Sequence, residues 1–308
     1  MWIYVTTVFI GAWLLFQIQP LISRLILPWF GGSTSVWTTC MLFFQILLVG
    51  GYAYAHLIVR KLAPKQQAAL QVAVVAAAVA ILPVIPDAAW KPQAIDDPAW
   101  RIFLLLTATV GLPYFVLATT GPLLQAWFSR RFPGVSPYPL YALSNLGSLL
   151  GLLSYPFVVE PRLALTSQSW AWSGGFLLYA LGCSCCAWQS SRRVEAPPAS
   201  EPDAKPPPSP PSPARYFAWG SMAACPSMLL LATTNHICQD VAVVPFLWVL
   251  PLALYLLSFI LCFGSSAWYA RSIVWPLTAL SLVGVAVADH RAAEEGGSVD
   301  EDLEQDAD

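Results

Sequence analysis

The feature that most limits what this chain can fold into is the length of its apolar runs. One reads "AALQVAVVAAAVAILPVIP" and another "VLPLALYLLSFILCF". Several runs reach the roughly 18 to 20 apolar residues that cross a hydrocarbon core of about 30 Å. Soluble domains carry about 25% charged residues; here charged residues are 10% and hydrophobic ones 57%, with a mean hydropathy of +0.62. A membrane β-barrel would show segments of about ten residues alternating in polarity, whereas these runs are continuous. The expected fold is therefore all-α, a polytopic bundle of transmembrane helices.

Nine spans are expected, at about 3–28, 36–58, 67–86, 102–127, 139–159, 168–189, 216–234, 243–263 and 271–288. Residues 190–215 are rich in proline and have no apolar periodicity, so they read as a disordered linker. This divides the chain into a six-helix bundle (1–189), the linker, a three-helix segment (216–288) and an acidic tail (289–308). Six helices, a linker and a second helix group outline a major-facilitator-like fold with an incomplete second half. The abrupt acidic end predicts a truncated or frame-shifted chain.

The net charge of −2 hides an asymmetry, because nine of the seventeen acidic residues lie from Asp289 onward. The N-terminus lacks the basic region and cleavage site of a secretory signal. Placing it in the cytoplasm puts ten basic residues inside and five outside, as the positive-inside rule requires. The expected location is a cell (inner) membrane with a cytoplasmic linker. The seven cysteines are odd in number and lie mostly in apolar runs, so no disulfide framework is expected.

Polar residues inside apolar runs are the informative ones. In the first span Trp13, Gln17, Pro20 and Arg24 share one helical face, with Gln19 opposite. They either line a cavity or brace a proline kink capped by an interfacial arginine. In the second, Met41, Gln45, Tyr52 and His56 share a face, and Gly50 and Gly51 permit a close helix approach. In the fourth, Gly121 and Pro122 predict a kink or break near Thr119, Thr120 and Gln125. In the fifth, Tyr138, Tyr141, Asn145 and Ser148 share a face, and Gly147 and Gly151 form a GxxxG packing pair. Asn145 is either interhelical glue or part of a binding site. Asn235, His236, Gln239 and Asp240 form the densest polar cluster, with Asp240 either an intramembrane acid or part of a short turn. The third span looks peripheral because it carries so little polarity. No catalytic group, metal-ligand spacing or nucleotide-binding glycine loop is visible, so no enzyme activity, metal or cofactor is expected, and no nucleic-acid partner.

Three blocks, "FQIQPLISRLILPWFGGSTSVWTTCMLFFQILLVGGYAYAHL", "TGPLLQAWFSRRFPGVSPYPLYALSNLGSLLGLLSYPFVVEP" and "TNHICQDVAVVPFLWVLPLALYLLSFILCF", resemble the membrane region of bacterial fused major-facilitator/spermidine-synthase-like proteins. The resemblance implies a transporter-like membrane module, followed in the family by an aminopropyltransferase-like domain with a methyltransferase-like Rossmann fold. In its place this sequence has the acidic tail, so no catalytic residue carries over. The expected role is movement of a small polar or cationic amine solute, lined by Gln17, Arg24, Gln45, Asn145, Asn235, Gln239 and Asp240. The alternative is a non-catalytic membrane anchor or partner subunit of a separately encoded or truncated synthase-like enzyme. Either way the first partner is the lipid bilayer.

Overall fold

A computed structural model describes residues 1–31, 34–91, 98–192, 211–240 and 249–264, together with scattered residues between 271 and 287. The chain divides into two compact units, Met1–Phe263 and Gly264–Asp308. In the second, residues 274–281 are helical. The first is built of helices alone among the described residues: α1 (Trp2–Phe30), α2 (Thr34–Lys61), α3 (Pro64–Val79), α4 (Pro98–Leu106), α5 (Leu112–Arg131), α6 (Tyr138–Ser154), α7 (Glu160–Arg162), α8 (Leu165–Ser191), α9 (Pro213–Asp240) and α10 (Val249–Gly264). The expected linker and tail lie largely outside the described residues.

Among the described residues five helical stretches are long and apolar enough to cross a membrane: Trp2–Phe30, Thr38–Lys61, Pro98–Arg131, Tyr138–Arg162 and Pro213–Thr234. This is a multi-pass α-helical protein of membrane-spanning composition. The other expected spans differ for physical reasons. At 16 residues, α3 rises only about 24 Å; it stops before Pro83 and Pro86, which lack the N–H a helix needs. α8 has the length, but its Ser, Gly and Trp content lowers its hydropathy. α10 is apolar but short.

The helices pack pairwise, with α1 against α6, α8 and α5, α2 against α5 and α4, and α3 against α8 and α5. α1 is the central pillar. Tyr4, Val8, Leu14, Ile18, Ile22 and Ile26 are all fully buried along it. In lipid the hydrophobic effect does not hold helices together, so association rests on close packing and interhelical hydrogen bonds. Both are visible. A Cβ on Gly147 would lie 2.7 Å from the Phe9 carbonyl oxygen, and one on Gly151 would lie 2.6 Å from that of Trp13. Those two glycines let α6 lie directly on the α1 backbone. Gly51 does the same for α2, where a Cβ would meet the Ala118 Cβ of α5 at 2.7 Å.

Prolines mark where the spans deviate. Of the kink or break expected at Gly121–Pro122, the break does not occur: α5 runs unbroken from Leu112 to Arg131 with Pro122 inside it. The irregularity is a π-turn at Thr107–Gly111, two residues before Pro113, which cannot donate back to Thr109. A second π-turn at Tyr155–Val159 contains Pro156. The turn considered for Asn235–Asp240 is also corrected: the backbone there is helical, continuing α9 to Asp240. α10 returns to the bundle, with Val249 and Leu256 packing on Leu152 of α6.

Candidate functional site

The first-span stripe resolves into two separate contacts. Gln17 is 4% exposed, and its Nε2 donates to the Gly151 carbonyl (3.0 Å) and to Ser154 Oγ (2.8 Å). Its amide braces the glycine-mediated crossing of α1 and α6. Arg24 lies one end further along and pairs with Glu160 at 2.6 Å, both groups partly exposed. The Tyr155 ring sits beside this pair and donates its hydroxyl to Gln168 Oε1 at 3.1 Å. Pro20 is half-buried between the two contacts.

Gln19, on the opposite side of the helix, reaches α5. Its Nε2 donates to the Tyr114 hydroxyl at 3.1 Å, and Tyr114 is 1% exposed within the core. Tyr114 packs on the Phe44 ring of α2, with centroids 4.8 Å apart. Three further tyrosines lie nearer the open side of the bundle: Tyr52 on α2, Tyr141 on α6 and Tyr255 on α10. Tyr52 and Tyr141 are 50% and 39% exposed, so they are accessible where Tyr114 is not. Phe263 packs on the Tyr141 ring with centroids 4.9 Å apart.

The expected polar faces of α2 and α6 are both open, with Tyr52 and Tyr141 exposed. Gln45 and His56 are exposed on the α2 face that carries Tyr52. Asn145 is half-buried on α6, and its Nδ2 donates to the Tyr141 carbonyl at 2.8 Å. The open face therefore offers phenol hydroxyls, an amide and aromatic rings, groups that suit hydrogen bonding and cation–π contact with a small polar ligand. Asn235, Gln239 and Asp240 have a described helical backbone, but their side chains lie outside the described residues. Gly121 and Pro122 are half-buried on α5, and a Cβ on Gly121 would meet nothing.

Several structural residues escaped the sequence reading. Gln67 is 1% exposed and acts as a hub. Its Nε2 donates to the Leu62 carbonyl (2.8 Å), while its Oε1 accepts from Trp127 Nε1 (3.0 Å) and the Arg130 guanidinium (3.3 and 3.4 Å). Gln71, one turn on, donates to Thr119 Oγ1 at 3.0 Å. α3 was expected to be a bland periphery, yet it buries both amides; their i, i+4 spacing with Val75 and Ala78 was the available signal.

The charged groups segregate. Arg60, Lys61, Lys65, Arg130, Arg131 and Arg192 all fall at the end where α2, α5 and α8 finish and α3 begins, with no acidic residue beside them among the described residues. Asp87 and Glu160 belong to the other end, with Arg24, Lys91 and Arg101. There the Arg101 guanidinium donates to the carbonyls of Ala89 (2.9 Å), Lys91 (3.3 Å) and Trp90 (3.4 Å).

Among the described residues no three His, Cys, Asp or Glu side chains gather as a metal site, and the described cysteines are free thiols. No family model, curated protein or solved structure matches this chain.

Proposed function

We propose that this chain is a transporter-like membrane module, similar to the membrane region of fused major-facilitator/spermidine-synthase-like proteins, that binds a small polar or cationic amine solute on the open face of α2, α6 and α10. The carrying observation is the exposure of polar side chains along apolar spanning helices, Gln45, Tyr52 and His56 on α2 and Tyr141 on α6. Polar groups exposed along a spanning helix are costly in lipid unless they serve a ligand or a wet cavity. The Arg24–Glu160 pair supports the cationic reading. An unpaired arginine would repel a cation, and Glu160 offsets that charge. Asp240, at the end of α9, is the acid that the sequence offers to complement a cationic solute. The clustering of six basic groups at one end supports a cytoplasmic N-terminus.

Cysteine labelling tests both readings at once. Gln45→Cys should react with a maleimide, and millimolar putrescine should slow that reaction. Trp170→Cys, on the exposed side of α8, should react at the same rate with and without the amine. Lys61→Cys should be shielded from a membrane-impermeant maleimide in intact cells. Equal labelling of Gln45→Cys with and without amine would remove this face from solute binding and shift weight to the anchor reading. Surface labelling of Lys61→Cys would reverse the orientation.

A further inference from the structure

A groove of about 400 Å³ runs between α3 and α8 on the outside of the bundle, lined by Lys65, Ala69, Val72, Ser184, Trp188 and Ser191. Its two walls differ. The α3 wall is a strip of exposed small residues, Ala69, Val72, Ala73, Ala76 and Ala77, which leaves a trough along the helix. The α8 wall is a ridge of exposed Leu177, Leu181 and Trp188. The mouth of the groove lies at the basic end of the bundle. Lys65 stands there, exposed in the first turn of α3. Arg192 follows the last turn of α8, with its guanidinium carbon 3.7 Å from the centroid of the Trp188 ring. That contact holds the guanidinium beside Trp188 at the groove. Of the basic residues at this end, Lys65 lines the groove and Arg192 stacks on Trp188, which also lines it, while Arg130 is engaged by Gln67.

A largely apolar groove with a cation at its mouth and a second one stacked beside it has the polarity of an amphiphile. We infer that this groove seats an anionic glycerophospholipid, its phosphate between Lys65 and Arg192 and one acyl chain along the α3 trough. The sign of the lipid follows from the charges. A zwitterionic headgroup would bring an ammonium to a mouth with no acidic residue among the described ones, whereas an anionic glycerol headgroup brings none. Ser191 Oγ is bound to the Trp188 carbonyl at 2.8 Å, which fixes the end of α8 that presents both Trp188 and Arg192. This inference needs the chain to sit in a bilayer but does not depend on which solute the open face binds.

Native mass spectrometry of the full chain, stripped of lipid in detergent and then given equal phosphatidylglycerol and phosphatidylcholine, tests it. The wild type should retain phosphatidylglycerol preferentially. Lys65→Ala and Arg192→Ala should each reduce that retention about five-fold, the factor expected for one basic group at a membrane surface. Lys91→Ala, at the other end, should leave it unchanged. Excess inorganic phosphate should not displace the lipid, because it lacks the chain that fills the trough. Equal retention of the two lipids, retention unaltered in the Lys65→Ala/Arg192→Ala double variant, or displacement by phosphate would each overturn the assignment. All the altered side chains are exposed, and matching melting temperatures of variants and wild type establish that the fold is intact.

Discussion

Gly151→Val is expected to destabilise the protein by about 3 kcal/mol or more, at the upper end of what overpacking costs a well-packed interior. The reason is backbone contact. Its Cβ alone would lie 2.6 Å from the Trp13 carbonyl oxygen and 3.2 Å from the Phe16 Cβ, and neither atom is the end of a flexible chain. The whole α1–α6 crossing would have to open. Opening it also pulls Gln17 from the Gly151 carbonyl and Ser154. Removing that amide alone, as Gln17→Leu, should cost only about 1 kcal/mol, since interhelical hydrogen bonds in membranes average less than that. Close approach therefore outweighs the hydrogen bond it carries. Thermal denaturation in detergent, followed by loss of the monodisperse peak on gel filtration, measures both. A Gly151→Val protein as stable as Gln17→Leu would show that α6 does not lie on α1 as described.

Gln67→Leu is expected to cost about 2 to 3 kcal/mol. One substitution removes the partners of Trp127 Nε1, the Leu62 carbonyl and the Arg130 guanidinium. Each buried group left unsatisfied costs about 1 to 3 kcal/mol, though water near the helix end offsets part of that for Arg130. Gln67→Glu should cost less, because a carboxylate still accepts from Trp127 and pairs with Arg130, losing only the donation to Leu62. The order wild type, Glu, Leu in melting temperature distinguishes a hydrogen-bond hub from simple packing, which Leu would satisfy as well as Gln. Finding Leu more stable than Glu would contradict the hub.

The sequence made some of this architecture legible and concealed the rest for identifiable reasons. Gly147 and Gly151 announced a close crossing through spacing alone, and the α1 backbone fits against them. The polar faces of α2 and α6 were readable from periodicity, because Gln45, Tyr52, Tyr141 and Asn145 recur at helical intervals. What periodicity cannot supply is the partner. Gln17 and Arg24 share a stripe, yet one binds α6 and the other binds Glu160, a residue unremarkable within "VVEP". Gln19 looked misplaced because its partner, Tyr114, is a lone hydroxyl in an apolar run on another helix. Gln67 and Gln71 were hidden by the Ala and Val around them, although in a short helix two amides on one face hold it to its neighbours. Proline misled in a different way. Pro122 is absorbed within α5, while Pro113 accompanies the π-turn, a difference set by neighbouring backbone rather than by residue type. The Asn235–Asp240 cluster is helical, although its local polarity resembles that of a turn.

The central claim is that the tyrosine-lined face of α2, α6 and α10 handles a small polar or cationic solute. Its most direct test is uptake of radiolabelled putrescine into proteoliposomes, with wild type compared to the Tyr52→Phe/Tyr141→Phe double variant. Phenylalanine keeps the rings and removes only the hydroxyls. The account predicts saturable uptake by the wild type and a loss of about tenfold in the variant, the effect of removing two modest hydrogen bonds. Uptake equal to that of protein-free liposomes, or equal in wild type and variant, would contradict it.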